Sequence, residues 1–254
     1  MREQNTYKYR TEQIYCERDG RLIFGEIYVP EGVERRMPAV VYSPWYGGTY
    51  DSGAPYARAL ARAGYVVYTF DFCGSCSHSK SDGRTTEMSM LTEVADLDAV
   101  VSKALSLDYV DASHLFLMGA SQGGLVSALE AARRSTDVRG LVLLYPALNI
   151  PDDIHQMFGS KNRIPDTHNI WGIPLGRIYF EEVWDIDVYD AINWYPGDVL
   201  ILHGDSDGLV PLRYSQHAAN AYTNASLKVM RGAGHGFYGS DHEQAVQHIL
   251  EFLN

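Results

Sequence analysis

Along most of the chain, short apolar runs alternate with stretches in which apolar residues recur every three or four positions. The opening segment reads as a hairpin: Gln13 to Glu17 and Leu22 to Val29 flank the turn signal Arg18-Asp19-Gly20. After a polar loop from Pro30 to Arg36, Pro38 to Tyr42 (PAVVY) predicts a short buried strand. Tyr56, Ala57, Leu60 and Ala61 mark a helix ended by Gly64. Tyr65 to Phe70 is the next strand, and a long loop runs from Asp71 to Thr86. Met90, Val94, Leu97, Val101 and Ala104 form a helical stripe. Leu115 to Met118 is a second buried run, followed by a helix with Leu125, Val126, Ala128, Leu129 and Ala132 on its apolar positions. Further strands are expected at Leu141 to Leu144, Val199 to Leu202 and Leu227 to Met230. Helices are expected near Pro211 to Ala221 and at the C-terminus, where Val246, Ile249, Leu250 and Leu253 would be buried. Strands alternating with helices imply a mostly parallel central sheet with helices on both faces. No internal repeat and no low-complexity segment interrupts the pattern.

One stretch breaks it. From about residue 146 to residue 196 no clean period survives, although three of the four tryptophans (Trp171, Trp184, Trp194) lie there. A structureless loop of that length is improbable in a compact domain. The expectation is one domain over residues 1–254, with this stretch as a small cap inserted between strands and lying over the site.

Composition narrows the function. At 254 residues with 46% hydrophobic content the chain suits a single α/β domain with an insertion. A net charge of -11 argues against nucleic acid and against an anionic membrane as partner. The opening MREQNTYKYR carries no apolar leader core and no run approaches a membrane span, so a cytoplasmic location is expected. Nothing here opposes a homodimer. Cys16, Cys73 and Cys76 are an odd set, which cannot form a complete disulfide framework. The C-x-x-C at Cys73 and Cys76 lacks the second ligand pair of a zinc site, so both read as free thiols in a loop; no metal and no cofactor is expected.

The chemistry concentrates at three strand ends. LFLMGASQGG, from Leu115 to Gly124, fits G-x-S-x-G between a predicted strand and a predicted helix, the context in which the pattern means a nucleophile elbow. Ser121 is the candidate nucleophile, with Gly119, Ala120, Gly123 and Gly124 small enough to let strand and helix approach. After VLIL comes HGDSDGLVP, with Asp207 as candidate acid and Asp205 as its rival. After KVM comes RGAGHGF, with His235 as candidate base. His203, His217, His242 and His248 read as structural or solvent-facing. Two backbone donors are needed for an oxyanion: one from Gln122, directly after the nucleophile, and one from the loop after PAVVY.

These stretches, with FDFCGSCSHSKSDGRTTEMSMLTEVADL, resemble the α/β-hydrolase superfamily over nearly the whole chain. Within it, the chain resembles the cinnamoyl (feruloyl) esterase group of small bacterial serine esterases. The resemblance implies an α/β-hydrolase fold and the order Ser121, Asp207, His235. It selects Asp207 over Asp205, because the family's acid stands three residues after the glycine. It implies Trp45 as the second oxyanion donor, although relatives carry His-Gly before that position and this chain has Ser43-Pro44. It also implies that Asp153 and Tyr179 match the cap acid and cap tyrosine that meet a hydroxyl on the substrate's aromatic ring. The small-molecule substrate would be a hydroxycinnamate ester. The competing readings are a generic short-chain carboxylesterase, thioesterase or acylglycerol lipase, a serine aminopeptidase-like hydrolase, and a non-catalytic binding module, which the intact Ser-Asp-His set opposes.

Overall fold

The computed structural model describes residues 6–254; the first five, part of the stretch on which the leader expectation rests, lie outside it. Strands β1 (Tyr9–Arg18) and β2 (Arg21–Pro30) form the expected antiparallel hairpin, in register Arg18 against Arg21. Asp19 and Gly20 close it with φ of 51° and 77°, the doubly left-handed two-residue turn that follows the strands' own twist. The sheet continues with β3 (Met37–Ser43), β4 (Val66–Phe70), β5 (Val110–Ala120), β6 (Val138–Leu144), β9 (Asp198–Gly204) and β10 (Ala225–Met230). Its order is β1-β2-β4-β3-β5-β6-β9-β10; β2 meets β4 antiparallel and every later pair is parallel.

Helices cover both faces because the central strands are apolar on both. In β3 the side chains of Ala39 and Val41 join one core cluster, and those of Val40 and Tyr42 join the other. Leu115 and Leu117 of β5 likewise oppose Phe116 and Met118. This two-residue alternation between two buried faces turns a parallel strand into a continuous apolar run in sequence. One face is covered by α2 (Met90–Leu105), α3 (Gln122–Arg133) and α7 (Leu212–Ala221), the other by α1 (Ala54–Arg62) and α8 (Ser240–Leu253). Ser89 caps α2: its Oγ accepts from Thr92 N, and the Thr92 hydroxyl oxygen accepts from Ser89 N. No described helix is long and apolar enough to cross a membrane.

Between β6 and β9 the chain builds α4 (Ile150–Phe158), the hairpin β7 (Thr167–Ile170) and β8 (Ile173–Gly176), and two short helices, α5 (Arg177–Glu181) and α6 (Val188–Ile192). Trp171 and Gly172 turn the hairpin with φ of 48° and 88°, and Asn169 Oδ1 accepts from Gly172 N at 2.8 Å. The turn repeats the geometry of the first hairpin with Trp in place of Asp, and its two strands were not foreseen. Α4, the hairpin and α5 supply walls of the main cavity, whereas Val188 and Ile192 of α6 are buried in the core cluster beside Leu129.

Candidate active site

Ser121 stands between β5 and α3 with φ 52° and ψ −117°. A non-glycine residue adopts that backbone only when its surroundings hold it there. Here the Ser121 N–H donates to Leu144 O, and Ser121 O accepts from Ala147 N, each at 2.9 Å. The elbow also needs missing side chains. A Cβ on Gly119 would fall 2.1 Å from Gly123 O, and one on Gly123 would fall 2.3 Å from Pro44 O. Any larger residue would push helix from strand, or the elbow from the loop that carries Trp45.

The loops after β9 and β10 bring the other two candidates to Ser121. His235 Nε2 lies 2.8 Å from Ser121 Oγ, and His235 Nδ1 lies 2.7 Å from Asp207 Oδ2. The second oxygen of Asp207 accepts from Leu209 N and Val210 N at 2.9 and 2.8 Å, so the carboxylate is aimed by its own loop. Its side chain is fully buried. Asp205 is exposed and accepts from Gly232 N at 2.6 Å, a brace between two loops and remote in role from the histidine. His203 is buried beneath the acid loop: Nε2 donates to Val210 O at 2.8 Å while Nδ1 accepts from Ser215 Oγ at 2.7 Å. Desolvation lowers its pKa, which favours the neutral ring, and the Val210 carbonyl at Nε2 sets the tautomer.

Trp45 and Gln122 line the same cavity as Ser121 and His235, and neither backbone N–H has a hydrogen-bond partner among the described residues. Pro44 has no N–H, and Trp45 supplies the next one along that loop. The cavity holds about 450 Å³. Its walls are largely apolar, with Ile150, Ile154, Met157, Ile170 and Leu209 among them; among the described residues Asp153 is the one carboxylate that lines it, and no Lys or Arg does. Asp153 accepts from Asn149 Nδ2 at 2.7 Å, and desolvation, then the neighbouring Asp152, raises its pKa above the usual carboxylate value. Tyr179 is buried and also lines the cavity, its hydroxyl donating to Gln122 Oε1 at 2.7 Å.

Two site residues escaped the sequence reading. Tyr46 lines the cavity and donates through its hydroxyl to Ile170 O at 3.1 Å, tying the loop after β3 to the β7–β8 hairpin. Glu93 is buried behind Gln122 and accepts from its Nε2 at 2.8 Å. Its signal was present: position 93 falls three after Met90 and four before Leu97, an acid on the apolar stripe of α2. Cys16, Cys73 and Cys76 are all unpaired, and burial pushes the Cys73 thiol up to about 12, so it is inert at neutral pH.

Comparison with known proteins agrees with this architecture. Ferulic-acid-bound Est1E from Butyrivibrio proteoclasticus superposes with a TM-score of 0.87 over 94% of this chain and 97% of that one, at 27% identity. Rat (Rattus norvegicus) monoglyceride lipase is 30% identical over 132 residues, 51% of this chain. A putative carbamate hydrolase, RutD, of Caulobacter segnis is 28% identical over 123 residues, 46% of this chain. The chain spans less than half the length of these two curated relatives, 41% and 45%. A family model described as TAP-like protein matches residues 181–254, and the one described as serine aminopeptidase, S33, matches residues 37–170, more than half of the chain. The protein therefore belongs to the serine aminopeptidase S33 family, with the fold of the α/β hydrolases.

Proposed function

We propose that the protein hydrolyses carboxylic esters through an acyl-enzyme on Ser121, and that its substrates are hydroxycinnamate esters of the ferulate and p-coumarate type. The observation that carries the reading is the continuous relay Asp207–His235–Ser121, with contacts of 2.7 and 2.8 Å, opening on an apolar cavity lined by one carboxylate among the described residues. His235 Nδ1–H donates to Asp207, which leaves Nε2 free to take the Ser121 proton as Oγ attacks the ester carbonyl. The backbone N–H groups of Gln122 and Trp45 meet the oxyanion. When the carbonyl reforms, the alcohol leaves with the proton held on His235. Water then gives a proton to His235 and its oxygen to the acyl carbon, and Ser121 leaves reprotonated.

The apolar walls suit a cinnamoyl ring, and a ring hydroxyl losing water there needs a partner. Asp153 supplies an acceptor. Tyr179, whose own proton is engaged by Gln122, can meet such a hydroxyl only through a lone pair. Est1E, solved with ferulic acid, supports the same class. A second reading rests on the same carboxylate: an acid in an apolar cavity, with no Lys or Arg among the described lining residues, also pairs with the ammonium of an aminoacyl substrate, in keeping with the family's description.

The test is a substrate panel on wild type, Ser121→Ala and Asp153→Ala. Methyl ferulate, methyl p-coumarate, methyl cinnamate, p-nitrophenyl acetate and aminoacyl amides separate the readings. Ser121→Ala should abolish turnover, and a fluorophosphonate should label Ser121 alone. A hydrogen bond to a charged group contributes about 1.5–3 kcal/mol, so Asp153→Ala should lower kcat/KM about ten- to a hundredfold for the two hydroxylated esters. Methyl cinnamate and p-nitrophenyl acetate should be spared. Equal losses on all four esters would remove the hydroxycinnamate assignment, and preference for aminoacyl amides would establish the second reading.

A further inference from the structure

Behind the oxyanion hole lies a chain of side chains that the mechanism above does not use. Glu93, only 1% exposed, lies in the first turns of α2 and accepts from Gln122 Nε2 at 2.8 Å. The same amide accepts, through Oε1, from the Tyr179 hydroxyl at 2.7 Å. Gln122 is 2% exposed, so both ends of its amide are satisfied inside the protein and neither is left to water. Tyr179 belongs to α5 of the insertion, whereas Glu93 and Gln122 belong to the core helices α2 and α3. A second bond joins the same two regions, from Ser89 Oγ, the cap of α2, to Glu182 at the end of α5.

We propose that Glu93 is a positioning residue for ester hydrolysis: by anchoring the Gln122 amide against Tyr179, it fixes the Gln122 backbone N–H at the oxyanion and couples the seating of the cap to that donor. The inference rests on the assignment of Ser121 as nucleophile and Gln122 as oxyanion donor, and is independent of which ester is turned over. Gln122 is the first residue of α3, where no preceding turn constrains the peptide. An oxyanion donor helps only when it is held in place before charge develops, because reorientation during the reaction would consume the stabilisation. The side-chain amide, clamped from two directions, restrains the residue that carries the donor.

The chemical state of Glu93 fits that role. Burial pushes its carboxyl well above the usual carboxylate range, with Asp96 adding to the rise, and the Gln122 bond opposes it only in part. That direction favours the protonated carboxyl, whose carbonyl oxygen can accept from the Gln122 amide. The protonated form also places no negative charge behind a site that must stabilise an oxyanion. A solvated surface acid would meet neither condition.

The experiment compares Glu93→Gln, Glu93→Leu and Tyr179→Phe on methyl cinnamate, which has no ring hydroxyl, with Gln122→Met as a second route to the same bond. Wild type is first labelled with a fluorophosphonate. Absence of label on Ser121 would overturn the nucleophile assignment and the proposal with it, whereas a labelled Ser121 with unaffected Glu93 variants would overturn the proposal alone. Misplacing one oxyanion donor should be less damaging than deleting it, so Glu93→Leu should lower kcat about ten- to a hundredfold with KM within about threefold. Glu93→Gln, which keeps a neutral acceptor, should retain kcat within about threefold of wild type. Affinity for a trifluoromethyl ketone, whose adduct mimics the tetrahedral oxyanion, should fall in parallel with kcat in Glu93→Leu. Tyr179→Phe should lower kcat on methyl cinnamate about three- to tenfold, as expected for loss of one neutral hydrogen bond. If Glu93→Leu does not fold, Gln122→Met should show the same kcat loss and inhibitor weakening. Wild-type kcat in Glu93→Leu or Gln122→Met would overturn the proposal. So would a loss in KM alone, or equal losses in Glu93→Gln and Glu93→Leu.

Discussion

At the scale of single residues, the loop HGDSDG separates two aspartates by two positions and gives them different work. Asp207 places one oxygen on His235 Nδ1 and the other on two backbone amides, whereas Asp205 braces Gly232 from an exposed position. Converting Asp207 to Asn replaces an acceptor facing Nδ1 by an amide, which favours the wrong imidazole tautomer. By the example of serine proteases, the loss in kcat is about four orders of magnitude. Asp205→Asn keeps an acceptor for Gly232 and should change kcat by less than about threefold. Ester turnover of the two variants, with circular dichroism to show that both fold, decides the assignment; the reverse ranking would transfer the acid to Asp205. These residues were legible in sequence because each follows an apolar strand and sits in a short glycine-marked turn. Glu93 was not. An acid in a helix reads by default as solvent-facing, and only its place between Met90, Val94 and Leu97 marks it as inward.

At the scale of elements, the parallel strands and their covering helices were legible because each carries a single clean period. The hairpin of β7 and β8 was not, for three physical reasons. Its strands are four residues long, one contains Pro174, and its turn uses Trp171 at positive φ where Asn or Asp usually signals the geometry. Gly172 and the Asn169 side chain supply the turn instead. Within α3 a different mismatch has a measurable consequence. Glu130 is fully buried, and among the described residues neither carboxyl oxygen finds a hydrogen-bond partner; the Arg133 and Arg134 side chains stand 3.5 Å away. Burial, reinforced by Asp98 and opposed by the two arginines, pushes its carboxyl up to about 8 from an ordinary 4.5. Between those values the folded protein keeps a proton that the unfolded chain has released, so this group's contribution to stability falls as pH rises from about 4.5 to about 8. Glu130→Gln removes the titration. Thermal unfolding should show the variant above wild type by about 4 °C or more at pH 9, with the gap closing by pH 5. A gap that is constant with pH would mean that Glu130 does not titrate in this range.

At the scale of the whole molecule, charge and cavity act in the same direction. The chain carries a net charge of -11, and the cavity is lined by Asp153 with no Lys or Arg among the described lining residues, Arg213 offsetting it only weakly from outside the lining. Low-dielectric walls focus such a field, so an anionic substrate meets repulsion during approach and again inside. The ester hydrolysis proposed above would also create a carboxylate where a neutral ester stood, and the same field would favour its departure. Substrate charge should therefore appear in the salt dependence of kcat/KM. Salt shortens the screening length from about 30 Å at 0.01 M to about 10 Å at 0.1 M, enough to hide most of the surface charge from an approaching molecule. Over that range kcat/KM for p-nitrophenyl hemisuccinate should rise roughly two- to fivefold as repulsion is screened. For p-nitrophenyl butyrate, which is neutral and of similar length, it should stay flat. Asp153→Asn should reduce the rise for the hemisuccinate without abolishing it, because the remaining charge of the molecule still acts at long range. Identical salt profiles for the two esters would show that the field does not reach the cavity mouth, and a falling profile for the anion would reverse its sign there.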